Sequence, residues 1–180
     1  MFKRVVDDEI ELELATKYIA QDIFDIIDRN RENLKNYFSW LDTVNEVADT
    51  QKYIKVQLEL MAKGRAIYMA IRYQGKVVGV IDFNAIREHN KTTEIGYILD
   101  KEFRGKGIMQ RAVKELCNMA FNAMGMNKVI IRCAHNNPKS CNVAKSLGFK
   151  LEGTLREFED VNGTLINLNI FSMLKSEYAE

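Results

Sequence analysis

An α/β fold with a mixed sheet follows from three features of the sequence. The first is a strand-like run at 93–99 that feeds the turn Asp100-Lys101-Glu102-Phe103-Arg104-Gly105-Lys106-Gly107 and then a long helix. That helix places Ile108, Ala112, Val113, Leu116, Cys117, Ala120, Phe121 and Met124 on one face, the spacing an amphipathic helix needs. The second is the alternation of strand and helix patterns along the chain, in the order β-α-α-β-β-β-α-β-α-β-β. The third is Asn162-Gly163 between two strand-like runs, the strongest two-residue hairpin signal.

Taken in order, Ile10-Glu11-Leu12-Glu13-Leu14 alternates and reads as a first strand. Thr16 is placed to cap a helix whose apolar face is Ile19, Ile23, Ile26 and Ile27. An aromatic cluster follows, Tyr37, Phe38 and Trp40. Asp49 is expected to cap the next helix, which runs to 63 and stops at Gly64. Residues 66–73, Gln74-Gly75 and 76–86 form a hairpin. Its second strand should be central, because Val77-Val78-Gly79-Val80-Ile81 is apolar on both faces. After the strand at 93–99 and the long helix, residues 128–133 read as a buried strand. Asn137-Pro138 gives an N-cap followed by proline in the first helical position, opening a short helix to 147. Strands at 149–161 and 164–174 complete the pattern.

Bulk properties set limits. A chain of 180 residues is most simply one domain, 1–180, and at that size buries roughly 70% of its unfolded surface. Lys plus Arg number 26 against 25 Asp plus Glu, a net charge of +1, so nothing suggests a duplex nucleic-acid partner. No apolar run reaches membrane-spanning length, and Asp7-Asp8-Glu9 follows the basic start too closely for a signal peptide. The three cysteines, Cys117, Cys133 and Cys141, make no C-x-x-C pair, and only His89 and His135 accompany them. No metal site is expected, and a cytoplasmic location fits.

The glycine turn carries the chemistry. A strand feeding a glycine-bearing turn that opens a helix suits an anion: first-turn N–H groups lack intrahelical partners, and the dipole adds partial positive charge there. Gly105 and Gly107 would let a phosphate approach the main chain, and Arg104 and Lys106 add mobile positive charge. A P-loop would need Lys-Ser or Lys-Thr after its second glycine, which is absent. A dinucleotide fingerprint would need a third glycine where Gln110 stands.

Arg104-Gly105-Lys106-Gly107-Ile108 resembles the acyl-CoA pyrophosphate loop of the GNAT N-acetyltransferases, Arg/Gln-x-x-Gly-x-Gly/Ala. Met109 departs from the last position but keeps its backbone N–H. Glu94-Ile95-Gly96-Tyr97, Asn137-Pro138-Lys139-Ser140, Leu147-Gly148-Phe149 and Glu152-Gly153 extend the resemblance to the ribosomal-protein N-terminal acetyltransferase (RimJ/RimL) branch. The resemblance implies the GNAT fold: a single domain with a mostly antiparallel mixed sheet, flanked by helices and splayed between the fourth and fifth predicted strands, 93–99 and 128–133. It implies acetyl-CoA as cosubstrate, bound by Ile98, Leu99, Arg104, Gly105, Lys106, Gly107, Ile108, Met109 and Asn137. It also implies transfer of the acetyl group to a primary amine by direct attack on the thioester.

Such transfer sets three tasks. An α-amino group with a pKa of about 8 must lose a proton, the thioester oxygen must be stabilised, and the departing thiolate can be helped by a donor. By resemblance Ser140 is that donor; the alternative is that it only satisfies first-turn N–H groups. Glu159, a few residues before Asn162-Gly163, is the first choice of base, and Glu94 the second, with a structural role as its alternative. Tyr37, Trp40 and Glu94 are expected near the acceptor; for the aromatics, plugging the core edge is an equal alternative. Family members often carry His-Asp after the Asn-Gly turn, where this chain has Leu165-Ile166-Asn167, so Asn167 and Asn169 are expected to substitute. The resemblance implies first a protein N-terminus, that of a ribosomal protein, as acceptor; a small-molecule amine (antibiotic, polyamine or aminoacyl compound) is the alternative, a non-catalytic acyl-CoA module is the remaining reading, and a homodimer is compatible with each.

Overall fold

The structure, a computed structural model, describes residues 2–178; Met1, Ala179 and Glu180, at the ends of the expected domain, lie outside the described residues. One sheet of eight strands runs through it in the order β1-β2-β3-β4-β5-β6-β8-β7. The strands are β1 (Lys3–Val5), β2 (Ile10–Leu14), β3 (Ile67–Tyr73), β4 (Lys76–Arg87), β5 (Thr92–Leu99), β6 (Lys128–Ala134), β7 (Lys150–Val161) and β8 (Thr164–Leu174). Every pairing is antiparallel except β5 with β6. The apolar run of β4 does lie in mid-sheet, with Val78, Val80 and Ile81 buried.

Helices cover both faces. On one, α1 (Ala20–Arg29) and α3 (Val47–Ala62) bury Ile23, Ile27 and Ile54 against Tyr68, Ala70, Val80 and Ile98. On the other, α4 (Ile108–Asn118) and α5 (Pro138–Ser146) bury Ile108, Val113, Leu116, Cys117, Cys141 and Ala144 against Ile71, Ile81, Phe83, Ile95 and Ile131. The four-residue α2 (Arg31–Leu34) continues from α1 toward the aromatic cluster.

Four local expectations are corrected. Strand β1 was not anticipated, because three exposed residues on a sheet edge leave no apolar pattern; Lys3 pairs with Glu11 and Arg4 with Glu115. The cap of α3 is Glu46, while Asp49 supplies the reciprocal half of a capping box by accepting from the Asn45 and Glu46 N–H groups. Thr16 precedes a 3₁₀ turn and makes no side-chain cap. The long helix keeps its apolar face but widens to a π turn over Met119–Ala123, where Ala120 and Phe121 stay buried.

The parallel junction matters most for the site. Strands β5 and β6 pair only at Thr92↔Lys128, Thr93↔Val129 and Glu94↔Ile130, then diverge. Beyond Glu94, β6 follows β8 and β5 follows β4. The main chain from Gly96 to Leu99 is therefore an exposed sheet edge inside the molecule.

Candidate active site

The divergence of β5 and β6 opens a cavity of about 540 Å³. Ile98 and Leu99 form one wall, Gly105, Gly107, Ile108 and Met109 the floor, and Asn137 and Ser140 the other wall. Tyr37 closes it from the aromatic segment, beside Asn33 and Phe38.

The floor fits an anionic group. Gly107, at φ +70, is the N-cap of α4; no side chain caps the helix and no acid lies in its first turn. A Cβ added at Gly105 or Gly107 would meet nothing within 4 Å, so it would stand in open cavity rather than in protein. The Met109 side chain is buried in the core. Backbone amides and the helix dipole together make an anion seat.

The loop is held by a buried carboxylate. Asp100 receives hydrogen bonds from Arg29 Nε (2.7 Å) and Asn30 Nδ2 (3.1 Å), while Asn30 Oδ1 accepts from the Lys101 N–H. Burial pushes the Asp100 carboxyl up, but the hydrogen bonds from Asn30, Arg29 and the Glu102 N–H outweigh it and hold the group below its usual range. Arg104 is likewise fixed, donating to Asn33 Oδ1 (2.9 Å) and toward the Leu99 carbonyl (3.4 Å). The Lys106 ammonium sits over the Tyr73 and Phe103 rings, 5.6 and 5.2 Å from their centroids, and Lys106 is not among the residues lining the cavity.

At the α5 end, Ser140 is engaged through both its N–H and its hydroxyl. Asn137 Oδ1 caps the helix by accepting the Ser140 N–H at 3.2 Å, so the hydroxyl is not needed for that task. Ser140 Oγ instead lies 3.1 Å from the Tyr97 hydroxyl. Burial pushes the Tyr97 phenol well above its ordinary value, so it keeps its proton at neutral pH.

Tyr97 and Ile98 also face a second, more closed cavity of about 370 Å³. Trp40, Val44, Thr50, Tyr53, Tyr68, Asp82 and Gly96 are among its walls. Trp40 thus belongs here, packed 5.3 Å from the Phe38 ring, while Tyr37 faces the first cavity.

Glu94 lies on neither wall. It is buried and accepts from Arg132 Nε at 2.6 Å, an ion pair that ties β5 to β6 where they part, away from both cavities. Glu159, on β7 and half-buried opposite Ile166 of β8, lines neither cavity, and its side chain has no hydrogen bond among the described residues. A bulge between Leu155 and Glu159, with Glu157 at φ +49, sets that strand's register. Asn167 and Asn169 are committed internally: Asn167 Oδ1 accepts the Glu157 N–H, and Asn169 Oδ1 accepts from Thr154.

Sequence reasoning gave Tyr97 no role of its own and did not single out Asn33 or Asp82. A carboxylate in the otherwise apolar central strand was the signal for Asp82. Among the described residues no cluster of three or more His, Cys, Asp or Glu gathers to hold a metal ion, and no helix is long and apolar enough to cross a membrane.

Comparisons with known proteins agree with this geometry. A family described as "Acetyltransferase (GNAT) domain" matches residues 10–150. The ribosomal-protein-serine acetyltransferase of Escherichia coli K12 is 30% identical over 169 residues, covering 94% of each chain. A structure of RimL, a ribosomal-protein alpha-N-acetyltransferase, in complex with coenzyme A superposes with a TM-score of 0.93 at 28% identity, over 96% of this chain and 98% of that one. The microcin C7 self-immunity acetyltransferase MccE, in complex with acetyl-CoA and AMP, gives a TM-score of 0.89 at 33% identity over 94% of each chain.

Proposed function

The chain belongs to the GNAT acetyltransferase family and is an acetyl-CoA-dependent N-acetyltransferase, and from that premise we propose that it acetylates the α-amino group of a protein N-terminus, a ribosomal protein being the first candidate. The observation that carries this reading is the pair of adjoining cavities sharing Phe38, Tyr97 and Ile98: a main-chain cleft for the acyl donor beside a side-chain pocket for the acceptor. The likeness over almost the whole length of a ribosomal-protein-serine acetyltransferase supports the choice of acceptor.

In this reading residues 1–180 act as one catalytic unit. The N–H groups of Gly107, Ile108 and Met109, with Gly105 leaving the approach clear, bind the pyrophosphate of acetyl-CoA, and Arg104 and Asn137 border it. Ile98 and Leu99 offer main-chain groups to the pantetheine arm, with the Leu99 N–H set for the thioester oxygen. Ser140 gives a proton to the departing thiolate and regains one from Tyr97, whose hydroxyl already touches it. Glu159, the base inferred from sequence, lies three residues before Asn162, whose Nδ2 donates to the Lys35 carbonyl at 3.1 Å. That tie brings the hairpin tip beside the segment carrying Tyr37, where an incoming acceptor would meet it. A cytoplasmic setting fits an acceptor of this kind.

The second reading is a small-molecule amine, favoured by the modest size and aromatic walls of the second cavity. A competition assay tests both. Labelled acetyl-CoA is offered with a peptide of free N-terminus, the same peptide blocked at its α-amino group, and a panel of small amines. Label on the free peptide alone supports the proposal; label on small amines at comparable kcat/KM overturns it in favour of the alternative.

A further inference from the structure

We propose that Asp82, a residue of β4 in the second cavity, is the carboxylate that takes the proton from the acceptor amine. The inference rests on the acetyl-transfer reading and adds the residue that the transfer needs inside the cavity.

The placement comes from the strands. Asp82 stands opposite Gly96 on β5, and its Oδ1 accepts the Gly96 N–H at 3.0 Å. Gly96 has no side chain to displace it: a Cβ there would stand 2.6 Å from Asp82 Oδ1 and 3.0 Å from Asn84 Nδ2. The glycine makes room for a carboxylate lying across the strand. One oxygen is thereby fixed, and Oδ2 has no hydrogen-bond partner among the described residues. From Gly96 to Ile98, which faces both cavities, is two residues of extended chain, about 7 Å at roughly 3.4 Å per residue. That span accommodates an amine nitrogen, or a nitrogen and one water, between the carboxylate and a thioester carbon held beside Ile98.

One further polar group on this largely apolar wall lacks a partner. Thr50 Oγ1 is buried without a hydrogen-bond partner and belongs to the same cavity. A buried hydroxyl left unpaired is costly, and a bound acceptor would satisfy it. Asp49, the other carboxylate on this wall, is already engaged by the Asn45 and Glu46 N–H groups and by Lys52. Glu94 is engaged by Arg132. Of the two carboxylates on this cavity wall, Asp49 has both oxygens engaged, and Asp82 keeps one without a partner among the described residues. Burial pushes its carboxyl up to about 7, with the Gly96 N–H opposing and the Glu94 charge adding to the rise. A base with that affinity suits removal of a proton from an amine of pKa about 8 at neutral pH. Tyr53 and Tyr68, the ionisable groups facing it from α3 and β3, are pushed upward by burial and stay neutral.

The step balances as follows. The acceptor ammonium gives one proton to the Asp82 carboxylate, leaving a neutral amine. The nitrogen lone pair forms the N–C bond to the acetyl carbon, and the C–S bond breaks toward sulfur. The second nitrogen proton passes to water, and a proton from water returns through Tyr97 to Ser140, which gave its own to the thiolate. Asp82 returns its proton to water.

The test compares wild type, Asp82→Asn and Glu159→Gln for coenzyme A affinity by calorimetry and for kcat against pH with a free-N-terminus peptide. The amide oxygen introduced by Asp82→Asn can still accept the Gly96 N–H, so the fold is retained. The expected result is a fall in kcat of about 100-fold or more in Asp82→Asn, loss of the acidic limb of its kcat profile, and unchanged coenzyme A affinity. Glu159→Gln should keep that limb. An acidic limb that persists in Asp82→Asn and disappears in Glu159→Gln overturns the assignment while leaving the acetyl-transfer reading intact. Failure of wild type to bind coenzyme A overturns both.

Discussion

The two cavities meet at Ile98 but are built from different materials. The larger one depends on three backbone features: two strands that part after Glu94, two glycines of positive φ, and the uncapped first turn of α4. The smaller one is made by side chains from separate segments, with Trp40, Tyr53, Tyr68 and Asp82 meeting only when the chain folds. A main-chain site binds a constant group, the pyrophosphate and pantetheine of the donor, and needs only a few glycines and an amphipathic helix to exist. A side-chain site can be retuned for each acceptor without moving the backbone.

Substitutions at two glycines should break the comparison cleanly. Gly107→Val forces a branched side chain into φ +70 and places it in the larger cavity, so coenzyme A affinity should fall about 100-fold or more, measured by calorimetry. Gly96→Ala acts on the other side. Its Cβ would crowd the Asp82 carboxylate, so kcat should drop about 10-fold while coenzyme A affinity holds. If Gly96→Ala weakened coenzyme A instead, the cavities would not be separable in function.

The same contrast explains what could be read from the sequence. Glycine spacing, the period of the 108–124 segment and the Asn162-Gly163 turn are local signals, and each was legible. So was the cap made by Asn137, because its partner Ser140 lies three residues away. Tyr97 meets Ser140 across 43 positions, and Asp82 meets Gly96 across 14, so neither contact has a local pattern. Glu94 was visible as a charged strand residue, but its ion pair with Arg132 depends on where β5 and β6 diverge. Glu159 was legible as a resemblance, whereas the bulge that sets its register was not.

Smaller effects sharpen the boundary between the two sites. Ser140→Ala should lower kcat by roughly 10-fold with KM for acetyl-CoA unchanged, since a thiolate of parent pKa about 8.5 already leaves well. An unchanged kcat in stopped-flow turnover would remove the donor role.

Acid should distinguish the two buried carboxylates by thermal melts. Asp100 is held below its usual range, so the stability it contributes is present above the unfolded carboxylate pKa and is lost as pH falls through the folded one. Asp82 is raised to about 7, so its contribution is complete below the unfolded pKa and is lost as pH rises through that value. Relative to wild type, Asp82→Asn should therefore gain in Tm from about pH 4 to pH 7, and Asp100→Asn should lose least in strong acid. Parallel shifts in both variants would refute the opposed assignments.

The central claim is that main-chain amides hold the acyl donor, and amide NMR reads those groups directly. On adding coenzyme A to the ¹⁵N-labelled protein, the resonances of Ile98, Leu99, Gly107, Ile108 and Met109 should shift together with a single affinity. Shifts confined to other parts of the molecule, with these five amides unmoved at saturating ligand, would contradict the account.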